Sequence, residues 1–526
     1  MYYWKTDLRT DLVNIVPTTS ANPAFWQHMV TFGISIGLKG TLNPATDLPS
    51  ITSGGTSWPN PVSNGITTID DLWHAAVNGH GTFLAASNPT EFTTGLSNAL
   101  AAVTQRTGSF SNVAANSTRL DTDTRVFQAS YVSGVWTGEL YSYEVSAEDG
   151  VNVNYEWRAS DGISAVPSDR NIITYNGTSG VTFPTAAQTT ALARTVAPAV
   201  TGVNNVAYIK GEDDLEIRNG GTLRNRNTRL GDIVSSSPTF VSDTNSIYVG
   251  ANDGMLHAFD AEDGSELFAY IPRGINLGDL STISNPSYSH RYFVDGPSVV
   301  STLQQTPGQN VLVGTLGKGG KGLFALDVTN PESFAASNVL WEHNETPLGN
   351  MGLVQGKPVI ATLNDGTKAL IVSNGLNSSH DRAVLLVYNL TTGVLITEID
   401  TGAGSAGTPN GLSAPVGWDA DGNGTLDYVY AGDLLGNVWK FDMSSDLSGD
   451  WDVANSGASI FRAIRGGVVQ PITAGMTVAL DPKTYQTWLF FGTGRLMTAG
   501  DLTSNAVETM YGLIDVGAAT TRTDLT

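Results

Sequence analysis

From about residue 120 to the end of the chain, short apolar runs broken by glycine turns recur in one arrangement. A strand ends in small residues, a glycine turn follows, and a second strand closes on an aromatic or aliphatic residue, often with Asp nearby. The arrangement occupies residues 247–260 (IYVGANDGMLHAFD), 311–327 (VLVGTLGKGGKGLFALD), 370–389 (LIVSNGLNSSHDRAVLLVYN), 427–442 (DYVYAGDLLGNVWKFD) and 488–515. An earlier relative lies at 125–144 (RVFQASYVSGVWTGELYSYE). The later copies are roughly 60 residues apart, near the upper end of propeller-blade periods. Runs at 266–271 and 394–399 supply outer strands, and runs at 237–241, 296–300, 357–360 and 414–418 open the next unit. Four short strands per unit predict a mainly β chain, a β-propeller of about 6–7 four-stranded blades. A large sandwich is the competing architecture, but sandwiches do not normally repeat one hairpin at a fixed long period.

The first hundred residues have another texture. Residues 28–38 (HMVTFGISIGL) read as an apolar strand. Thr68 followed by Asp71 predicts a capping box opening a helix through Leu72, Trp73 and Val77, which Asn78-Gly79 ends. A short strand over 81–86 follows. A second helix is expected from Asn88, with Pro89 at its first position and Phe92, Leu96, Leu100 and Val103 on its apolar face. Strand, helix, strand, helix is part of an open sheet. The expected division is a partial α/β segment over 1–110, a β-rich connection with the first blade over 111–230, and the propeller proper over 231–526.

Composition narrows the function classes. The 526 residues carry 27 Lys and Arg against 49 Asp and Glu, a formal net charge of -22, and a field of that sign repels nucleic acid. No cysteine occurs, which removes disulfides, thiolate metal sites and a cysteine nucleophile. No apolar run reaches the roughly 18 residues of a membrane span. The N-terminal stretch MYYWKTDLRTDLVN lacks the basic and apolar regions of a signal peptide, so the protein is either cytoplasmic or an internal piece of a longer chain, and the second is expected because the first hundred residues read as the end of a domain.

The strongest chemical signal is the stretch Asp419-Ala-Asp421-Gly-Asn423-Gly424-Thr425-Leu-Asp427. Oxygen-bearing side chains stand at loop positions 1, 3, 5 and 9, with glycine at position 6 for the sharp bend and the Thr425 main-chain carbonyl at position 7. Calcium takes six to eight oxygens at about 2.3–2.6 Å, and this spacing wraps a tight loop around one ion. Tyr430 replaces the bidentate Glu of an EF-hand, and strands flank the loop, so it is an EF-hand-like loop on a β scaffold. An Asp/Asn/Gly turn without metal is the plainer alternative, but three carboxylates this close repel one another unless a cation joins them.

Other motifs fail on context. Gly33-Ile-Ser35-Ile-Gly37 matches a nucleophile elbow, but no helix-forming sequence follows the serine. The glycines over 317–322 match a dinucleotide-binding pattern, but the next residues, LFALDV, form a strand. The seven histidines are scattered without an HExxH pair. Tyr143, Phe259, Phe324, Tyr388, Trp439 and Phe441 close repeat strands and are expected to pack between blades, with a sugar-binding face as the alternative.

Several stretches resemble the PilY family of type IV pilus-associated proteins. The N-terminal YYWKTDLRTDLVN and NPAFWQHMVTFGISIG, with DDLWHAAVNGHGTFLAASNPTEFTTGLSNAL, resemble the closing part of that family's von Willebrand factor A-like domain. Leu223-Arg224-Asn225-Arg226 through LGDIVSSSP is similar to its approach to the propeller. GTLGKGGKGLFALDVT and DADGNGTLDYVYAGDLLGNVWKFD are similar to its blades. The resemblance implies a protein exported across the inner and outer membranes to the pilus tip and cell surface. Its implied partners are minor pilins of the tip complex and host or abiotic surfaces. Its implied roles are pilus assembly, control of extension and retraction, twitching motility and adhesion, without catalysis. It implies Ca2+ as cofactor, held by Asp419, Asp421, Asn423, Thr425 and Asp427. The DxSxS signature of a von Willebrand A metal site and the RGD tripeptide are both absent, and the chain is expected to stop before the family's last blade material. Two other functions share this architecture. One is a quinone-dependent dehydrogenase, whose blade-locking pattern residues 259–270 (FDAEDGSELFAY) resemble, and the other is a surface lectin.

Overall fold

A computed structural model describes residues 2–11, 14, 16, 24–44, 46–62, 65–86, 108–115, 124–146, 150–151 and 154–525. Its body is a succession of antiparallel sheets. Sheet 1 holds Gly108–Ala115, Arg125–Val132, Thr137–Ser146 and Trp157–Arg158, with Gly150–Val151 at its end. Sheet 2 holds Thr239–Val241, Ser246–Gly250, Leu256–Asp260 and Glu266–Ile271. Sheet 3 holds Ser298–Val300, Val311–Thr315, Leu323–Asp327 and Val339–His343. Sheet 4 holds Val359–Thr362, Lys368–Ser373, Arg382–Asn389 and Leu395–Gly404. Sheet 5 holds Val416–Trp418, Tyr428–Gly432, Asn437–Asp442 and Asp452–Val453. Sheet 6 has three strands among the described residues, Thr477–Leu480, Thr487–Gly492 and Met510–Ile514.

The first strands of consecutive sheets touch in order, from sheet 1 through sheet 6, so the sheets follow one another as the blades of a β-propeller. From sheet 2 onward these strands begin at 239, 298, 359, 416 and 477, which is the period expected from the sequence. In sheets 2 to 5 a proline (Pro238, Pro297, Pro358, Pro415) immediately precedes the first strand. A residue without an N–H is tolerated where a ladder begins.

The chain between sheets 1 and 2 folds back onto the propeller. Ile172–Tyr175 pairs in parallel with Glu266–Ile271, and Gly180–Thr182 extends the sheet beyond it. Helices Ala186–Ala191 and Gly202–Ile209 follow, each capped by a threonine hydroxyl.

The aromatic residues that close repeat strands are core residues. Phe259, Phe324 and Phe441 are fully buried, and Tyr388 and Trp439 nearly so, whereas Tyr143 is half-buried. Burying such a ring is worth roughly 1.5–3 kcal/mol, and the rings act between sheets. Trp157 of sheet 1 donates its indole N–H to the Ala261 carbonyl in sheet 2 at 3.1 Å. Trp341 of sheet 3 repeats this with the Leu390 carbonyl in sheet 4 at 2.9 Å. Both indoles lie against a glycine of the partner turn. A Cβ on Gly264 would lie 2.5 Å from Trp157, and one on Gly393 2.5 Å from Trp341. Gly264 sits in the stretch 259–270, whose sequence resembles the blade-locking pattern of quinone-dependent dehydrogenases.

The N-terminal α/β expectation is met in part and corrected in detail. The strand is Thr31–Ile36, shorter than 28–38, and pairs in parallel with His80–Ala86 across the helix Thr67–Asn78. The capping box does not form: Ile66 is the N-cap and no side chain caps the helix. Thr68 lies inside the first turn and donates to the Gly65 carbonyl, while Thr67 Oγ accepts the Val62 N–H, so both hydroxyls serve the preceding loop. Gly79 ends the helix, but the left-handed residue is His80, at φ 53°. The helix expected from Asn88 lies outside the described residues. Among the described residues, no helix is long and apolar enough to cross a membrane.

Candidate metal centre

The loop 419–427 is the hairpin joining the first two strands of sheet 5, Val416–Trp418 and Tyr428–Gly432. The flanking strands pair in register from Trp418↔Tyr428 to Val416↔Tyr430, so the nine residues between them must close on themselves. Gly422 and Gly424 turn the chain at φ 78° and 88°, a region that favours glycine.

That closure brings the carboxylates of Asp419, Asp421 and Asp427 together, with one oxygen of each lying within 4.8 Å of the others. Asp419 accepts the N–H groups of Gly422 at 2.7 Å and Asn423 at 3.2 Å on one oxygen, and of Gly424 at 2.7 Å on the other. Burial works to raise its carboxyl, yet these N–H groups hold it below the ordinary carboxylate range. Asp421 accepts the Asn423 N–H at 3.0 Å and its side-chain amide at 3.1 Å. Asp427 is buried and accepts the Ala420 N–H at 2.8 Å. The loop N–H groups therefore orient the acidic oxygens, and each carboxylate keeps lone pairs for a further partner.

Asn423 and Thr425 lie in the same turn. Asn423 Oδ1 accepts the Thr425 N–H at 2.7 Å and lies beside its hydroxyl oxygen. The Thr425 hydroxyl contacts Asn364 Oδ1 as well, at 2.7 Å, so its side chain is committed to the protein and its main-chain carbonyl is the oxygen it can offer. Tyr430, at the EF-hand Glu position, points elsewhere and donates to Asp515 at 2.6 Å.

Asn364 is a member of this site that loop spacing does not reveal. It occupies the corresponding hairpin of sheet 4, and its amide donates to the carbonyls of Leu426 at 3.0 Å and Met443 at 3.2 Å. The Leu426 N–H in turn reaches the Thr362 carbonyl at 2.8 Å. Two adjacent sheets thus hold the loop. The donor set, three carboxylates with amide and carbonyl oxygens and no nitrogen or sulfur, suits a hard cation such as calcium.

The other motifs are structural. The strand Thr31–Ile36 leads from Ser35 to Gly37 at φ 80°, with no helix after it. Gly317–Gly319 is a single 3-10 turn before the strand Leu323–Asp327. His257 is fully buried between Asp253 and Glu266, His290 contacts Asp232, and His343 the Gly393 carbonyl. Among the described residues no histidine joins a cluster able to hold a metal.

Comparison with known proteins agrees with the repeat and the sheets. Residues 230–524 match the family described as the PilY1 beta-propeller domain. The type IV pilus biogenesis factor PilY1 of Pseudomonas aeruginosa is 32% identical, over 98% of this chain and 52% of its own length. A PilY1 homolog of Xylella fastidiosa is 36% identical, over 78% of this chain and 34% of its own length. A crystal structure of the Pseudomonas aeruginosa PilY1 C-terminal domain is 32% identical, covering 52% of this chain and 60% of that one, with a TM-score of 0.44. The chain thus spans about half the length of its P. aeruginosa relative. On the family match and the identity over nearly all its residues, the chain belongs to the PilY1 family.

Proposed function

We propose that this chain is the propeller-bearing part of a type IV pilus biogenesis factor and that it works as a calcium-dependent binding module without catalysis. The observation that carries the reading is the convergence of Asp419, Asp421 and Asp427 within 4.8 Å in a chain of this family. Asp419, Asp421, Asn423 and Asp427 would hold the ion through side-chain oxygens and Thr425 through its carbonyl. The ion would neutralise the carboxylates and make the closed loop the stable one. Because Asn364 and Thr362 bind the same loop, its ordering bears on the junction of sheets 4 and 5. The rim of that junction is the surface we assign to minor pilins of the tip complex. The strand–helix–strand unit over 31–86 then forms the end of a von Willebrand A-like domain. In the cell the protein would sit at the pilus tip, where it supports assembly, extension–retraction control, twitching and adhesion to host or abiotic surfaces.

Calorimetric titration of the chain with calcium tests this. Saturable binding in the micromolar-to-millimolar range of moderately charged loops is expected, and Asp427→Ala should abolish it. No heat with wild type, or equal heat with the variant, overturns the assignment. The relatives are named as biogenesis factors, and no observation on the described residues favours the quinone-dependent dehydrogenase or lectin alternatives over this reading.

A further inference from the structure

A cavity of about 690 Å³ lies where the N-terminal segment, sheet 1 and the returning chain before sheet 2 meet. Asn14 and Phe25 close one side, Arg158, Ser160 and Asp161 a second, and Asp213, Glu216, Arg218 and Asn219 with the stretch 226–229 the rest. Its lining has four arginines (Arg158, Arg218, Arg226, Arg229) against three carboxylates (Asp161, Asp213, Glu216), in a protein whose net charge is -22. Glu212 and Asp214, from the same acidic turn, are not part of the lining.

The arginines differ in what they are bonded to. Arg158 forms a two-pronged pair with Asp161, at 2.8 and 2.9 Å. Arg226 and Arg218 share one carboxylate, the fully buried Glu216, at 2.8 and 2.7 Å. Arg226 is further fixed by the Tyr208 and Glu212 carbonyls and lies over the Tyr208 ring. Among the described residues, the Arg218 guanidinium has only Asp213, at 4.0 Å, besides its share of Glu216. Among the described residues, half-buried Arg229 meets no carboxylate; its Nε donates to the Gly211 carbonyl at 3.3 Å. Two guanidinium groups on one buried carboxylate, with a third beside them, leave positive charge facing the cavity.

We propose that this cavity binds an acidic peptide segment, with a ligand carboxylate on the free fork of Arg229 and a second near Arg218. Guanidinium groups suit carboxylates because two parallel N–H bonds match the two oxygens. The cavity volume lies within the range of ligand pockets and far exceeds one inorganic anion, and junctions between domains are common places for such sites. The overall negative field opposes anions at long range, so recognition must come from these short contacts.

The test uses the full chain and an N-acetylated tetraglutamate peptide, with tetralysine and inorganic phosphate as companions. Saturable binding of tetraglutamate is expected, weakening as salt rises. Arg229→Gln should lose at least tenfold in affinity, and Arg229→Lys should recover only part of it. The melting temperature of Arg229→Gln without peptide should equal or exceed that of wild type, because an unneutralised cation has been removed. Phosphate binding as tightly as the peptide overturns the assignment to a peptide. Equal affinity for tetralysine, unchanged affinity in Arg229→Gln, or a lowered melting temperature in that variant overturns the site.

Discussion

The Thr425 hydroxyl of sheet 5 donates to Oδ1 of Asn364 in sheet 4 at 2.7 Å, so the candidate calcium loop hangs from the hairpin of the neighbouring blade. Asn364 also donates to the Leu426 carbonyl, which makes it a strut at the last turn of the loop. Asn364→Ala should leave every carboxylate in place and still weaken calcium binding several-fold. This corresponds to about 1 kcal/mol for hydrogen bonds lost at the loop's support. Calorimetry on a variant with unchanged circular dichroism checks this.

Asp427→Asn separates charge from shape. The Ala420 N–H can still be accepted by the amide oxygen, so the hairpin should close as before. The variant should match or exceed wild-type thermal stability in a chelator, since one of three crowded charges is gone. The rise in melting temperature expected of wild type in calcium should be lost. Thermal melts with and without calcium read both outcomes.

Sheet 2 and the chain packed against it share a buried ionic chain. His257 donates one ring N–H to Asp253 at 3.1 Å and the other to Glu266 at 2.8 Å, and Arg170 forks onto Glu266 at 2.6 Å. Burial alone would lower the His257 pKa, but the two carboxylates more than offset it and hold it at about 9. Burial likewise opposes the Glu266 charge, which Arg170 and His257 restore, bringing its pKa down to about 2. A raised histidine contributes stability that is complete below its unfolded pKa, about 6.5, and is lost as pH climbs through 9. A depressed glutamate contributes above its unfolded value, about 4.3, and loses that as pH falls toward 2. Denaturant melts should therefore show falling stability above pH 7 and again in acid. His257→Gln should flatten the alkaline limb and cost about 3–5 kcal/mol near neutrality, because it breaks a buried ion pair.

Gly393 carries Trp341 across the junction of sheets 3 and 4 at φ 70°, with no room for a Cβ. Gly393→Ala should cost at least 1–2 kcal/mol from the left-handed backbone alone, and more because the indole must shift. Gly366, in an open hairpin at φ 86° with nothing within 4 Å of its Cβ, should lose only the backbone part on the same change. Chemical denaturation of the two variants separates the terms.

The repeating sheets were legible because each blade is local: its short strands and the glycine turn between them all fall within one period. The acidic loop was legible for the same reason, since its oxygens are spaced along nine residues. Asn364 was not, because Asn-Asp-Gly reads as an ordinary hairpin turn until sheets 4 and 5 lie side by side. The arginine cavity was hidden likewise, since Arg158 and Arg229 meet only after the intervening chain has folded back. The Thr68 capping box misled because a hydroxyl three residues before an acid is equally able to bond backward into the loop, as Thr67 and Thr68 do.

The indole of Trp157 finds its acceptor 104 residues further along, whereas that of Trp341 finds its own after 49. Closing the longer loop costs more chain entropy before any contact rewards it. Of these two indole latches, the one on sheet 1 must therefore wait longer for its anchor. A ribosome-bound chain cut before residue 261 would hold sheet 1 unlatched, and its assembly would finish only as sheet 2 emerges.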